Sequence, residues 1–170
     1  MYTQTFAQMK KGLGQLDKWL DTAIEYAKVK NVDPNVFAGQ RLALDQFPLT
    51  RQVQICCDTV KLAASYLSGK PAPTHADGEQ TLDELKARVQ STIAYLDTLA
   101  AADFKDAATK VVSQPRWKGE WMTGEDYLVQ HAIPNFFFHL TTTYAILRHN
   151  GVNLGKRDYL GQQAKRPPAA

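Results

Sequence analysis

Apolar residues recur every three or four positions in four separate stretches of the sequence, and no other feature constrains the fold as strongly. The first stretch carries them at Phe6, Met9, Leu13, Leu16, Leu20, Ala23 and Ala27. This spacing places apolar side chains on one face of an α-helix. The four stretches predict helices at residues 3–29, 47–68, 81–101 and 124–150. Four long amphipathic helices predict an all-α fold, an antiparallel four-helix bundle.

Residues that start or stop helices set these limits. Pro48 suits the first turn of the second helix, where its missing N–H costs nothing. Thr81 with Glu84 three residues later forms a capping-box pattern at the start of the third helix. Thr123 suits the start of the last helix, and Gly151 suits its end.

The helical period disappears between the third and fourth helices. The segments "KVVSQ" and "KGEWMT" there predict a short irregular or β-ribbon insert before the last helix. Within the last helix, Pro134 predicts a kink. We expect one domain at residues 3–161 and a flexible C-terminal tail at 162–170. Gly12 and Gly14 weaken the first helix and suit a close neighbour.

Composition excludes several classes of function. The chain has 170 residues, 44% of them hydrophobic, and a net charge of +3. Its basic residues are scattered, so we expect no nucleic-acid partner. No apolar run is long enough for a membrane span, and the start resembles no signal peptide, so we expect a cytoplasmic protein. Cys56 and Cys57 are adjacent in a helical pattern and predict reduced core residues.

Polar residues follow the inward-facing seam of the last helix, in "PNFFFHLTTTYAILRHNG". Asn135 and His139 are one turn apart on one face, and Thr143 follows one turn later. One interpretation makes His139 a buried core histidine that is hydrogen-bonded to Gln52 of the second helix, with a lowered pKa. The other makes Gln52, Asn135, His139 and Thr143 a ligand pocket. In a variant of the second, His139 and Asn135 bind a metal, although two such groups alone form a weak motif.

Apolar residues on the other faces of the last helix predict a second contact surface. These residues are Phe137, Phe138, Leu140, Tyr144 and Leu147. A monomeric bundle normally exposes a polar face on each helix, so this pattern predicts a homodimer.

In the insert, Trp117 and Trp121 are either a lid over the pocket or packing residues. We expect His75, in a loop rich in Pro and Gly, to be exposed to solvent.

The helix order, the insert and the ending "H-x7-L-R-x2-G" resemble the DinB/YfiT-like superfamily of metalloenzymes, in a branch of domains of unknown function. The resemblance covers residues 3 to 161 and implies the four-helix bundle and a homodimer. Members of that superfamily carry H-x3-H on the last helix and a third histidine on the second. Aligning His139 with the second histidine of the pair puts Asn135 at the first. The second helix has no histidine, and its nearest polar candidates are Gln52, Gln54 and Asp58.

Two functional hypotheses follow from the resemblance and its departures. In the first, the metal site is degenerate, no cofactor is bound, and the protein holds a small polar ligand in the bundle interior. In the second, the protein is an enzyme of the small-thiol S-transferase type that uses a divalent metal, Zn²⁺ or Ni²⁺, at His139. The metal would lower the pKa of the thiol substrate. The sequence leaves open whether the protein is an enzyme.

Overall fold

A computed structural model describes residues 1–166, and this part of the chain is mostly helical. The helices are α1 (Tyr2–Lys30), α2 (Leu49–Ser68), α3 (Leu82–Asp97), α4 (Gly124–Asp126), α5 (Ile133–His149) and α6 (Lys156–Leu160). A π-helical segment, Tyr127–Ala132, joins α4 to α5. The strands are β1 (Val111–Val112) and β2 (Met122–Thr123), and short 3-10 turns lie at Pro34–Phe37, Ala101–Phe104, Ala107–Thr109 and Pro115–Trp117.

The predicted helix starts are confirmed at α3 and at the last helix. Thr81 Oγ1 accepts a hydrogen bond from the Glu84 backbone N–H at 3.2 Å, and the Glu84 carboxylate accepts one from the Thr81 N–H at 2.9 Å. Thr123 caps α4 by accepting from the backbone N–H of Asp126. The predicted end of the third helix at residue 101 is wrong, because α3 ends at Asp97 and a separate 3-10 turn follows.

The long helices pack through the faces that carry the apolar periodicity. Helix α2 packs against α3 and α5, and α1 packs against the same two helices. Gly12 permits the close approach of α1 to α5, because a Cβ there would lie 2.9 Å from a methyl carbon of Leu140. The matching prediction for Gly14 is wrong, since nothing lies within 4 Å of a Cβ at that position.

The insert before the last helix forms the predicted ribbon. Strands β1 and β2 pair antiparallel, with Val111 opposite Thr123 and Val112 opposite Met122. Between them, Trp117 packs edge-on against the rings of Tyr127 and His131 at centroid distances of 6.0 and 5.6 Å. Trp121 is 59% exposed. Trp117 therefore fastens the insert to the π-helical segment.

The sequence predicts one helix at residues 124–150, but this helix is interrupted in the structure. Pro134 has no backbone N–H, so the carbonyl of Gln130 loses its α-helical donor, and the proline ring also crowds that carbonyl. The six residues Tyr127–Ala132 adopt the wider π-helical pattern instead, and α5 starts immediately afterwards. The expected effect of Pro134 on the helix thus takes the form of a π-helical interruption.

Residues predicted to form an outward apolar surface of the last helix have different environments. Leu140 and Leu147 are buried, because α1 packs against that side of α5. Tyr144 is partly buried against Trp19 of α1 and the Tyr159 ring of α6. Phe138 is 57% exposed. The prediction of an outward apolar face is therefore wrong for both leucines, whereas it holds for Phe138.

Two further expectations concern the C-terminal tail and the absence of a membrane-spanning helix. Helix α6 is the last element described before residue 166, so the predicted tail at 162–170 lies partly outside the described residues. Within residues 1–166, no helix has both the length and the apolar character that a membrane span requires.

Candidate functional site

His139 occupies the interior position that its place on the seam predicts. The side chain is 7% exposed, and its Nδ1 lies 2.7 Å from Oε1 of Gln52. An amide oxygen only accepts hydrogen bonds, so Nδ1 carries the proton and donates to it. The Gln52 amide group in turn donates to the carbonyl of Phe47 at 3.0 Å. His139 therefore connects α5 to the start of α2 as a neutral imidazole.

The surroundings of His139 keep it neutral. Burial lowers the pKa of His139 from 6.5 to about 4, and the positive charge of Arg51 acts in the same direction. With Nδ1 protonated, Nε2 carries the lone pair. No residue among 1–166 makes a hydrogen bond to that nitrogen. The predicted burial, hydrogen bond and lowered pKa are thus all present.

Asn135 is engaged elsewhere, although it lies one turn from His139 on α5. It is half-buried, and its Nδ2 donates to Thr59 Oγ1 at 2.7 Å. The Thr59 hydroxyl itself donates to the carbonyl of Ile55. The structure therefore places Asn135 and His139 on different partners along α2, seven residues apart at Thr59 and Gln52.

Thr143 does not present a free hydroxyl donor. The residue is fully buried, and its Oγ1 donates to the carbonyl of His139 at 2.9 Å within the same helix. Thr142 makes the equivalent bond to Phe138. Such bonds satisfy a hydroxyl inside a helix without any ligand. Of the four predicted pocket residues, the structure joins Gln52 with His139, while Asn135 and Thr143 have other partners.

A pocket that the sequence analysis did not identify opens beside Asn135. It is half open to solvent and has a volume of about 180 Å³ between α2, the insert, the π-helical segment and α5. We refer to it as the polar pocket, and its lining residues are Arg51, Ile55, Asp58, Thr59, Leu62, Gln114, Arg116, Tyr127, His131 and Asn135. Polar side chains that are far apart in the sequence thus converge on one small space.

Hydrogen bonds order the insert side of the polar pocket. Arg116 Nη2 donates to Nε2 of His131 at 2.9 Å, so that nitrogen is an unprotonated acceptor. Burial, with Arg116 as the second cause, lowers the pKa of His131 below its usual 6.5. The amide of Gln114 donates to the Tyr127 hydroxyl at 3.2 Å. Burial raises the pKa of Tyr127 to about 12, so this hydroxyl keeps its proton.

A network of charges around the buried side chains of Arg88 and Lys61 supports the opposite wall. Asp58 lines the polar pocket and accepts from Arg88 at 2.7 Å and from Lys61 at 2.9 Å. The Arg88 side chain is only 2% exposed and also pairs with Glu79 at 2.8 Å. Such a buried cation requires several acceptors to offset its lost hydration. The i,i+3 pair of Asp58 and Lys61 in α2 is the only local sequence signal of this network.

His75 belongs to the same network, so the expectation that it is exposed to solvent is wrong. Its two ring nitrogens lie 2.9 Å from Lys61 Nζ and 3.0 Å from Ser91 Oγ. Burial lowers the pKa of His75, and the nearby charges of Lys61 and Arg88 lower it further. The loop that contains His75 is therefore fastened to both α2 and α3.

The donor atoms present do not fit the three-histidine metal site that the family resemblance implies. Of its three ligands, only His139 is present, and the Nδ2 group of Asn135 already donates to Thr59. Within residues 1–166, no three His, Cys, Asp or Glu side chains are grouped so that they could hold a metal ion. Cys56 and Cys57 are fully buried, and burial raises the pKa of Cys57 to about 12, which keeps it a thiol.

Comparison with known proteins gives a family and a fold. The model of a domain family described as "Domain of unknown function (DUF1993)" matches residues 1–160. Among solved structures, the chain is similar to a DinB family member protein from Shewanella denitrificans, with 47% sequence identity and a TM-score of 0.94. That match covers 99% of this chain and 96% of the other. No curated protein has significant similarity to the chain.

Proposed function

The chain belongs to the DUF1993 family and has the fold of a DinB family member, and from this premise we propose that it binds a small polar molecule without a metal. We place the ligand in the polar pocket rather than at His139. The observation that carries the proposal is the convergence of polar groups from α2, the insert and the last helix on one half-open space of about 180 Å³. In ligand sites, a few convergent polar groups of this kind fix the orientation of the ligand.

The π-helical segment supports this placement. It carries both Tyr127 and His131 to the pocket, and π-helical turns occur frequently at functional sites. Trp117 packs against both rings and holds the insert over them. The polar groups are thus held in place before any ligand arrives, which lowers the entropy lost on binding.

The alternative function is that of a metal-dependent enzyme of the small-thiol S-transferase type. One observation favours it: His139 is neutral, and its Nε2 makes no hydrogen bond within the described residues. A neutral imidazole nitrogen is a good ligand for Zn²⁺ or Ni²⁺. Against it, the surrounding residues offer no set of three ligands of the usual kind. We therefore derive no catalytic step through a metal.

Elemental analysis separates the two functions. Protein purified without chelator or a metal-affinity tag is expected to contain well under one equivalent of zinc or nickel per chain. One equivalent that is lost in a His139→Ala variant would contradict the proposed function and favour the enzyme. The His149→Ala variant is the matched control, because it removes an exposed histidine from the same helix.

Ligand binding is tested by adding small polar compounds to ¹⁵N-labelled protein. We expect at least one compound to shift the side-chain amide signals of Asn135 and Gln114, which line the polar pocket. An Asn135→Ala variant should weaken that binding, whereas Asn153→Ala, at an exposed position, should not. A library that shifts neither amide, or that shifts only signals around His139, would contradict the proposed site.

We also propose the architecture that the periodicity predicts, with α1, α2, α3 and the last helix as an antiparallel four-helix bundle in one domain at residues 3–161. The pairwise packing of these helices supports it.

We further propose a homodimer. Leu42 and Phe138 line a shallow apolar groove, and Leu44 and Phe47, in the loop that contains Leu42, are 96% and 55% exposed. Exposed apolar surface of this kind usually marks an interface.

A further inference from the structure

We propose that the ligand of the polar pocket is a small monocarboxylate whose charged group is bound by Arg116 and whose apolar part lies against α2. This inference rests on the proposed function and adds the chemical class of the ligand. It depends on which charges around the pocket already have partners, on the net charge of the walls and on the size of the space.

Arg116 is the cation that is available to a ligand. Its Nη2 donates to a neutral partner, His131, and it forms no ion pair with any carboxylate within residues 1–166. The second arginine of the pocket, Arg51, is already paired with Asp77 and donates to Gln54 at 3.0 Å. A guanidinium has five N–H donors in a planar fork, so Arg116 retains enough of them for a two-point contact with a carboxylate.

His131 makes Arg116 a fixed donor rather than a freely moving surface charge. The imidazole accepts from Nη2 and is itself held between the rings of Trp117 and Tyr127. A long side chain held in one orientation loses less entropy when it binds an anion. The structure thus supplies a positioned cation beside the half-buried Asn135, whose amide also lines the pocket.

The opposite wall limits the charge that the pocket can accept. Asp58 lines the same space, and although Arg88 and Lys61 hold it, its carboxylate still repels anions. A phosphate dianion would require more positive charge than one unpaired guanidinium supplies. The charged residues that line the pocket are Arg51, Arg116 and Asp58, so its walls carry a net charge of one positive, which suits a single negative charge. A carboxylate also matches the fork of Arg116.

The rest of the pocket favours an apolar body on the ligand. Ile55, Leu62 and the ring of Tyr127 form part of its wall. Its volume of about 180 Å³ leaves room for one ring, since a closed engineered cavity of about 150 Å³ holds benzene, and the open side of this pocket lets such a molecule enter. A carboxylate on one aromatic ring or a short branched chain therefore fits the space, and benzoate is a suitable probe.

The experiment compares benzoate with benzamide, a neutral molecule of nearly the same shape, by titrating ¹⁵N-labelled protein at neutral pH. We expect benzoate to shift the side-chain amide signals of Asn135 and Gln114, and to bind at least about tenfold more tightly than benzamide, since hydrogen bonds to charged groups are the stronger ones. Arg116→Gln should weaken benzoate about tenfold and leave benzamide unchanged. Arg116 is exposed, so the variant should fold normally.

The control is Lys118→Gln, which removes an exposed cation from the same insert but does not line the pocket. Equal binding of benzoate and benzamide, or equal loss in the Arg116 and Lys118 variants, would overturn the carboxylate inference and leave the proposed function intact. If neither probe shifts the pocket amides while other neutral compounds do, the inference also fails and the proposed function stands. If no compound of any charge shifts them, both fail.

Discussion

Replacing His139 with glutamine is expected to remove part of the acid sensitivity of the fold. Glutamine keeps an N–H group that can donate to Gln52, but it cannot take up a proton. In the native protein the His139 imidazole is buried and neutral, with a pKa of about 4 rather than 6.5. The unfolded chain exposes the same imidazole to water, where it becomes protonated below its ordinary pKa.

The direction of the pH effect follows from whether the native and the unfolded states bind a proton at His139. Between pH 6.5 and about 4, the unfolded state binds a proton at His139 that the native state does not. The free energy of unfolding therefore falls as the pH falls through this window, and it does not change from this cause above pH 6.5. His75 and His131, whose pKa values are also lowered, act in the same direction.

The size of the effect follows from the fall in pKa. At about 1.4 kcal/mol per pH unit, the fall in the pKa from 6.5 to about 4 gives an upper limit of about 3.5 kcal/mol. Solvent reaches part of the ring, and screening reduces this value, so we expect the His139 contribution to be about 1 to 2 kcal/mol. This amount is a substantial fraction of the stability of an ordinary domain.

Urea unfolding at a series of pH values measures the effect. As the pH falls from neutrality to about 4, the unfolding free energy of the wild type should fall by about 1 to 2 kcal/mol more than that of His139→Gln. The control Asn153→Ala changes an exposed side chain that takes up no proton, so it should retain the wild-type dependence in this window. Wild-type and His139→Gln curves that stay parallel throughout the window would refute the burial argument.

Three further predictions concern packing, charge and assembly. Gly12→Ala and Gly14→Ala gain the same helix propensity, but only the first adds a methyl group against α5, so it should be less stable than the second by about 1 to 3 kcal/mol in urea unfolding. Arg88→Met removes a buried cation from its three carboxylate partners, of which Glu79 is the least exposed, and should cost about 3 kcal/mol, against about 1 kcal/mol or less for the more exposed Arg51→Met; equal losses would contradict the network. Light scattering should give twice the chain mass of 19.0 kDa at micromolar concentration and a smaller value for Phe138→Ser, whereas 19.0 kDa for the wild type would reject the homodimer.

Local signals in the sequence predict the helical elements well. The spacing of apolar residues places α1 within one residue of its observed ends, because one side of that helix packs continuously against other helices. The Thr81 capping box defines the start of α3, since both of its hydrogen bonds lie within four residues. The pairing of His139 with Gln52 was also predictable, because both side chains lie on inward-facing positions of their helices.

Features that depend on contacts between distant segments were not predictable in this way. The π-helical pattern spans Tyr127–Ala132, and although Pro134 signals an interruption, it does not specify its form. The pocket arises where the insert folds back onto the last helix and brings Arg116 to His131, which no periodicity encodes. Arg88 gains three acidic partners from α2 and a loop, and a sequence pattern does not reveal such pairings.

The polar residues of the last helix have two separate roles, and this separation supports assigning function to the pocket. His139 and Thr143 satisfy their hydrogen bonds inside the protein, with Gln52 and with the helix backbone. Buried polar groups with such partners need no ligand to explain their presence. His131 and Asn135 lie toward the start of the last helix and line the polar pocket, and His131 accepts a hydrogen bond from Arg116. Substitution of His139 should therefore change stability without changing the binding of benzoate. Substitution of Arg116 should weaken the binding of benzoate without changing stability.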